Sequence, residues 1–283
     1  MNLAKLKKAL GEIKIDIERS ITTASFNGDS YGDGQKAKEA LIRSSRLIMK
    51  IHEVTKQSLD QVLRERYTPY SINPPLGQSS PELDVTGFIK KKKQDIVVLI
   101  GNTRKRREFV AEGPLEGTED IIGKDVSETA IVIGVRSQLS SVAKNFDTLM
   151  ERAFAETLNL RLRLPRLVMG EVYLLPVVEY DDDAMKNNRV AFKRQPIGLN
   201  KFIRTFYGIS GRLANETNGF YKYERTALII ADFRQTPPQL CMDPDELSRA
   251  GVTDDMVSKF ERLSPEGFAS DIVRVHAERH GGN

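Results

Sequence analysis

Cysteine, tryptophan and histidine are almost missing from this chain, and each shortage closes a route. One residue of 283 is cysteine, Cys241, so neither a disulfide nor a cysteine metal cage forms within the chain. The histidines are His52, His276 and His280. His276 and His280 stand four apart, a spacing that suits a metal pair on a helix, although histidines near a chain end are usually solvated. No GxSxG, HExxH or glycine-rich phosphate loop occurs, which removes the common hydrolase and NTPase routes. No apolar run approaches the roughly 18 residues of a membrane span. The segment MNLAKLKKALGEIKIDIERS lacks the uninterrupted apolar stretch of a secretory signal. The expectation is a chain that avoids membranes and resides in the cytoplasm.

What is present describes an ordinary globular protein, 40% apolar and 29% charged, long enough to bury a sizeable core without cross-links. The net charge of +4 is unevenly spread. Residues 90 to 107 carry +7 through Lys90, Lys91, Lys92, Lys93, Arg104, Lys105, Arg106 and Arg107 against Asp95. Residues 185 to 212 carry another +7 through Lys186, Arg189, Lys193, Arg194, Lys201, Arg204 and Arg212, leaving −10 for the rest. Two basic tracts on an acidic body form an electrostatic footprint for a polyanion. Solvated basic loops explain the same counts equally well.

Leu3, Leu6, Leu10, Ile13 and Ile17 recur as one face of a first helix. A second, long helical pattern runs from about Gln35 to Arg66. The proline-rich YTPYSINPPLGQSSPEL cannot continue it. A hairpin reading follows, with VTGFI, a polar turn KKKKQ and the strand DIVVLIG; residues 101 to 128 read as an irregular loop. TAIVIGVRSQ reads as a buried strand feeding a helix whose apolar stripe is Val142, Phe146, Leu149, Met150, Ala153, Phe154 and Leu158, with Ser140 or Ser141 as cap. EVYLLPVVEY and TALIIADF read as further strands, separated by a segment that is helical in its second half. Short capped helices follow, at Asp243 or Asp245, Thr253 and Ser264. Four or five central strands flanked by helices make a mixed α/β fold.

Asp95 opens a strand directly after a lysine run. That placement suits a Mg²⁺ ligand beside phosphate, because Mg²⁺ takes one or two carboxylates plus substrate oxygens; an acid capping a hairpin turn is the bland account. The succession KKKKQDIVVL, AIVIGVRSQ and KNFDTLMERAFAE resembles the catalytic core of PD-(D/E)xK nucleases. More narrowly, it is similar to type II restriction endonucleases whose second strand ends in Glu-x-Lys-Ser-Gln and enters an Asn-Phe-containing helix with a glutamate. The likeness covers residues 88 to 160 and, more loosely, the strand at 171 to 180. It departs from the family at two positions: Gly134 stands where the second acid belongs and Arg136 where the lysine belongs, while Ser137 and Gln138 match.

The resemblance implies a mixed central β-sheet flanked by helices, restriction-endonuclease-like. One nuclease-like domain would span 1–283, with a core over about 35–240 and helical extensions at both ends, the C-terminal one over about 243–283. It implies Mg²⁺-dependent, site-specific cleavage of double-stranded DNA by a homodimer. Asp95 and Glu151 would hold the metal, with Asp147 as a competitor of Glu151, and Glu53 is a further acid within reach. Arg136 would stabilise charge on the reacting phosphate, being a poor base, and Gln138 would orient water or bind only backbone. Lys90, Lys91, Lys92, Lys93, Lys186, Asn187, Asn188, Arg189, Lys193, Arg194, Lys201 and Arg204 would contact DNA, by phosphate or base edge. The rival expectations are a nuclease fold that has lost cutting and survives in DNA binding or defence sensing, and an RNA-binding protein.

Overall fold

The computed structural model describes residues 1–102 and 105–281, so Arg104 of the first basic tract lies outside the described residues. Helix α1 (Leu3–Thr23) starts where the Asn2 side chain accepts from Lys5 N, and its expected face forms: Leu6, Leu10, Ile13 and Ile17 are fully buried. The long second helix divides in two, α2 (Gly34–Arg43) and α3 (Arg46–Arg66). The break is local chemistry. Ser44 Oγ donates to Leu41 O, and Ser45 takes φ +62°, outside the helical region.

Strands β1 (Tyr70–Asn73), β2 (Leu83–Thr86), β3 (Lys91–Gln94) and β4 (Ile96–Ile100) follow. The hairpin differs from the expected one. Its turn is Gly87–Lys90, and Lys91–Gln94 pairs with Leu83–Thr86 as strand. The reason is a docking contact: Phe88 N and Ile89 N donate to Asn159 O (2.6 Å) and Asn159 Oδ1 (2.9 Å). A Cβ on Gly87 would come 2.7 Å from Asn159 O, so the turn needs glycine to lie this close. The expected loop at 101 to 128 contains a two-stranded pairing of Glu108–Phe109 with Glu119–Asp120 and a short helix, Lys124–Glu128.

β5 (Ile131–Ser137) leads into α4 (Val142–Arg161), β6 (Val168–Pro176), α5 (Leu199–Gly208), β7 (Arg225–Asp232), β8 (Gln239–Leu240) and α6 (Phe268–His280). Six strands form one mixed sheet in the order β8-β7-β6-β5-β4-β1. β1 with β4, β4 with β5, and β7 with β8 pair antiparallel, whereas β5, β6 and β7 are mutually parallel. α4 makes the β5-to-β6 crossover that a parallel pair requires.

Alternation sorts the two faces. Ile131, Ile133 and Val135 join Val168, Val172, Leu174, Ala227 and Ile229 in a core closed by α1, α3 and α6. Val132, Met169, Tyr173, Leu175, Leu228 and Ile230 face the other way, toward α4 and α5. Gly170 admits α6: a Cβ there would meet Phe268 Cζ at 2.8 Å. Asp243 caps Pro244–Arg249 in a reciprocal capping box with Glu246. Thr253 and Ser141 sit at N-cap positions without a side-chain cap bond, and α6 starts after Gly267 rather than at Ser264. Among the described residues no helix is long and apolar enough to cross a membrane.

Candidate active site

The register brings Asp95, Gly134 and Glu171 into one row. Ile96 pairs with Ile133, so the next antiparallel step sets Asp95 beside Gly134, and Gly134 pairs with Glu171 across the parallel β5–β6 ladder. At a strand spacing of about 4.8 Å, the Asp95 and Glu171 backbones are about 10 Å apart with a bare glycine between them. Glu171 uses that gap. A Cβ on Gly134 would overlap Glu171 Oε2 and lie 3.1 Å from its carboxyl carbon. The space over Gly134 is thus filled by a carboxylate from the neighbouring strand.

Glu171 is 1% exposed. Burial raises its carboxyl to about 7, against the pull of Arg136. Arg136 Nε lies 3.0 Å from Glu171 Oε1, yet neither carboxylate oxygen has a well-aligned hydrogen bond. The short separation makes this an ion pair, and the poor alignment leaves lone pairs free. Arg136 also pairs with Glu156 of α4, which Lys92 of β3 reaches from the other side. Burial alone would raise the Glu156 carboxyl, but Arg136 and Lys92 outweigh it and hold the group below its ordinary value. Glu171 and Glu156 drive the Arg136 guanidinium in the opposite direction, upward.

Asp95 Oδ2 accepts from Val135 N at 2.7 Å, extending the ladder through a side chain. Buried His52 of α3 stands near it. Burial lowers the imidazole, and the Asp95 charge opposes that drop. The result is three carboxylates, Asp95, Glu156 and Glu171, interleaved with Arg136 and Lys92, while His52 reaches Asp95 alone.

Of the expected site residues, the structure brings together Asp95 and Arg136 and leaves three elsewhere. Glu151 is exposed on α4; Glu156 faces the sheet instead. Five residues of helix turn the two side chains about 140° apart, so both cannot face inward. Asp147 pairs with Lys201 at 3.0 Å. Glu53 serves the proline-rich loop, accepting from Gly77 N (3.0 Å) and pairing with Lys56 (2.9 Å), which itself donates to Pro75 O and Gln78 O. Gln138 donates from Nε2 to Ser140 O, the backbone-binding alternative.

Most of the expected DNA contacts have protein partners. Lys91 donates to Glu119 O, Lys92 meets Glu156, Lys186 meets Asp183, and Lys193 meets Glu179 and Asp182. Lys201 pairs with Asp147 and lies 3.9 Å from the centre of the Phe146 ring. Asn188 Oδ1 accepts from Gly34 N and Asn187 donates to Asp183 O. Lys90, Lys93, Arg189, Arg194 and Arg204 are exposed and pair with no described acid. The segregated charge of the sequence is therefore partly cancelled by acids that folding brings alongside.

Two site residues escaped sequence reasoning. Glu156 falls on the inward stripe Val142, Phe146, Met150, Ala153, Thr157, Leu160, so the helical period alone would have found it. Glu171 is an acid inside a wholly buried strand, and that rarity was its signal. Compared with protein-family models, with curated proteins and with solved structures, the chain matches none of them.

Proposed function

We propose that this protein is a Mg²⁺-dependent deoxyribonuclease of restriction-endonuclease-like fold that cleaves double-stranded DNA at specific sites, with the cation held between Asp95 and Glu171. The observation that carries the reading is the Asp95–Gly134–Glu171 row, in which Glu171 lies over a residue with no side chain and feels the charge of Asp95 on the adjoining strand. The donor set fits a hard cation. Glu171 is buried with neither oxygen hydrogen-bonded, Oε1 facing Arg136 Nε, and Asp95 commits Oδ2 to the backbone and keeps Oδ1. Among the described residues no three His, Cys, Asp or Glu side chains form a metal cage. Two carboxylates plus phosphate oxygens are what Mg²⁺ usually accepts.

The order of the sheet elements also supports the reading: a helix, three antiparallel strands with small insertions between them, a crossover helix and a parallel strand, α3-β1-β4-β5-α4-β6. A bound Mg²⁺ would polarise the target phosphate and neutralise charge developing on it. Arg136 and Lys92 would face the same phosphate from the protein side, the lysine coming from β3 rather than from β5. Exposed Lys90, Lys93, Arg189, Arg194 and Arg204 would hold the backbone, a homodimer would address both strands, and the cytoplasm would supply the DNA.

One observation favours a second reading. Arg136 already neutralises Glu171 and Glu156, so a cation must compete with a guanidinium for Glu171. A fold in which the guanidinium always wins binds DNA without cutting. Incubation of the purified protein with plasmid DNA and MgCl₂ separates the two. Discrete fragments that vanish with EDTA, with Asp95→Ala or with Glu171→Gln support the enzyme; a mobility shift without fragments supports the binding protein. Cutting that survives both substitutions refutes the metal site.

A further inference from the structure

A second ionic cluster lies where β6 and β7 begin. Arg161 at the end of α4, Arg212, and Arg279 of α6 all contact one carboxylate, Glu224, and all four side chains are at most 4% exposed. Glu224 itself ties the cluster to the sheet, accepting from Met169 N at 2.6 Å. Three guanidiniums facing one carboxylate leave an interior excess of two positive charges.

Backbone carbonyls take up most of the remaining donors. Arg161 donates to the carbonyls of Leu167, Phe220 and Lys222, and Arg279 to those of Ala214, Leu213 and Leu167. These bonds satisfy geometry but do not cancel charge. Arg212 Nε, buried, has no acceptor. Burial without full compensation pulls the Arg161 guanidinium down to about 10 and lowers that of Arg212.

A cavity of about 280 Å³ opens beside this cluster, lined by Arg166, Arg212, Arg279, Asn215, Thr217 and Phe220. The acid on its wall is Glu216, already engaged by Lys222 (3.0 Å) and Leu213 N (3.1 Å). A neighbouring cavity of about 350 Å³ shares Arg212, but there Arg225, Arg262 and Arg274 are matched by Glu261, Asp271 and Glu278. Charge therefore selects the first cavity.

We propose that the Arg166–Arg212–Arg279 cavity binds a phosphate-type oxyanion, either free or as the terminal phosphate of a nucleotide chain. Arg212 and Arg279 supply the fixed charge, while Arg166, Asn215 and Thr217 donate from the rim. The proposal does not rest on the nuclease reading, because it needs neither Mg²⁺ nor Glu171.

Calorimetric titration of the full chain, without Mg²⁺, tests it. The probes are sodium phosphate against sodium chloride at matched ionic strength, and a 5′-phosphorylated short single strand against its 5′-hydroxyl form. Saturable phosphate binding is expected, weakened roughly tenfold or more by Arg166→Glu, as for loss of a charge-assisted bond. Arg166 is exposed, so that variant keeps the fold; Arg212→Lys, which retains the charge and loses the planar fork, should weaken binding in the same direction. Binding of phosphate without discrimination between the two strands assigns the site to a free anion, and preference for the 5′-phosphate assigns it to a chain end. No saturable binding of either probe, or affinity unchanged in both variants, overturns the proposal.

Discussion

Replacing Glu171 by Gln should change how stability depends on pH. Burial holds the Glu171 carboxyl near 7 in the folded protein, against an ordinary 4.5 in the unfolded chain. Between those values the folded state keeps a proton that the unfolded state has released, so stability falls as pH rises from 4.5 to about 7 and then levels. At about 1.4 kcal/mol per pKa unit, the carboxyl contributes a loss of about 3 kcal/mol over that interval. Glutamine keeps the shape and does not titrate. Urea denaturation followed by circular dichroism at pH 4.5, 6 and 7.5 should show the variant gaining on the parent by about 3 kcal/mol across the series. The comparison cancels the titrating groups remote from Glu171, including His276 and His280, because both proteins carry them. Two curves that run parallel would mean that Arg136 keeps Glu171 ionised throughout, and the reasoning about this buried carboxyl would be refuted.

Gly134→Ala should cost about 1–3 kcal/mol by overpacking against Glu171, and Glu171→Ala in the same chain should recover part of that loss in thermal unfolding; strict additivity would show that the two do not collide. Glu224→Gln strips three buried guanidiniums of their one counter-charge and should destabilise by about 3–5 kcal/mol in a denaturant titration. Asp243→Ala removes a reciprocal cap and should cost about 1 kcal/mol, read as a small fall in melting temperature. Burial lowers the imidazoles of His276 and His280, the latter to about 4. Their stabilisation is therefore complete above pH 6.5 and is lost as pH falls toward 4, a slope that His280→Gln should reduce in melting curves.

Much of the sheet is legible in the chain because its strands are short apolar runs: DIVVLI, AIVIGV, EVYLLP and TALIIAD all become strands. Boundaries set by distant partners are not legible. The turn at Gly87 is decided by Asn159, about seventy residues away, so a run of lysines that looks like a loop becomes a strand. In α4, Phe154 fits the inward stripe by spacing but is 43% exposed; a stripe that includes it is too wide, conceals Glu156 and favours Glu151. Glu171 could be noticed as an acid in an apolar strand, but its meeting with Gly134 depends on a register that period-2 alternation does not encode. The basic tracts illustrate the converse: Lys193 finds Glu179 and Asp182 close by in sequence, while Lys92 finds Glu156 only through the fold.

The contact of α6 with Gly170 has a consequence for assembly. Phe268 and Ile272 lie against the middle of the sheet beside Ile133, within the same core that α1 begins. Part of the helical cover of that core thus comes from beyond residue 267 and part from the first two dozen residues. A ribosome that has made the first 260 residues has α1 and α3 to lay on this face of the sheet but not α6, so the apolar patch around Ile133 and Gly170 stays uncovered. Contacts of such long loop closure are slow to form, and the uncovered face invites association between nascent chains. Removing α6 should therefore yield insoluble protein rather than a smaller folded domain.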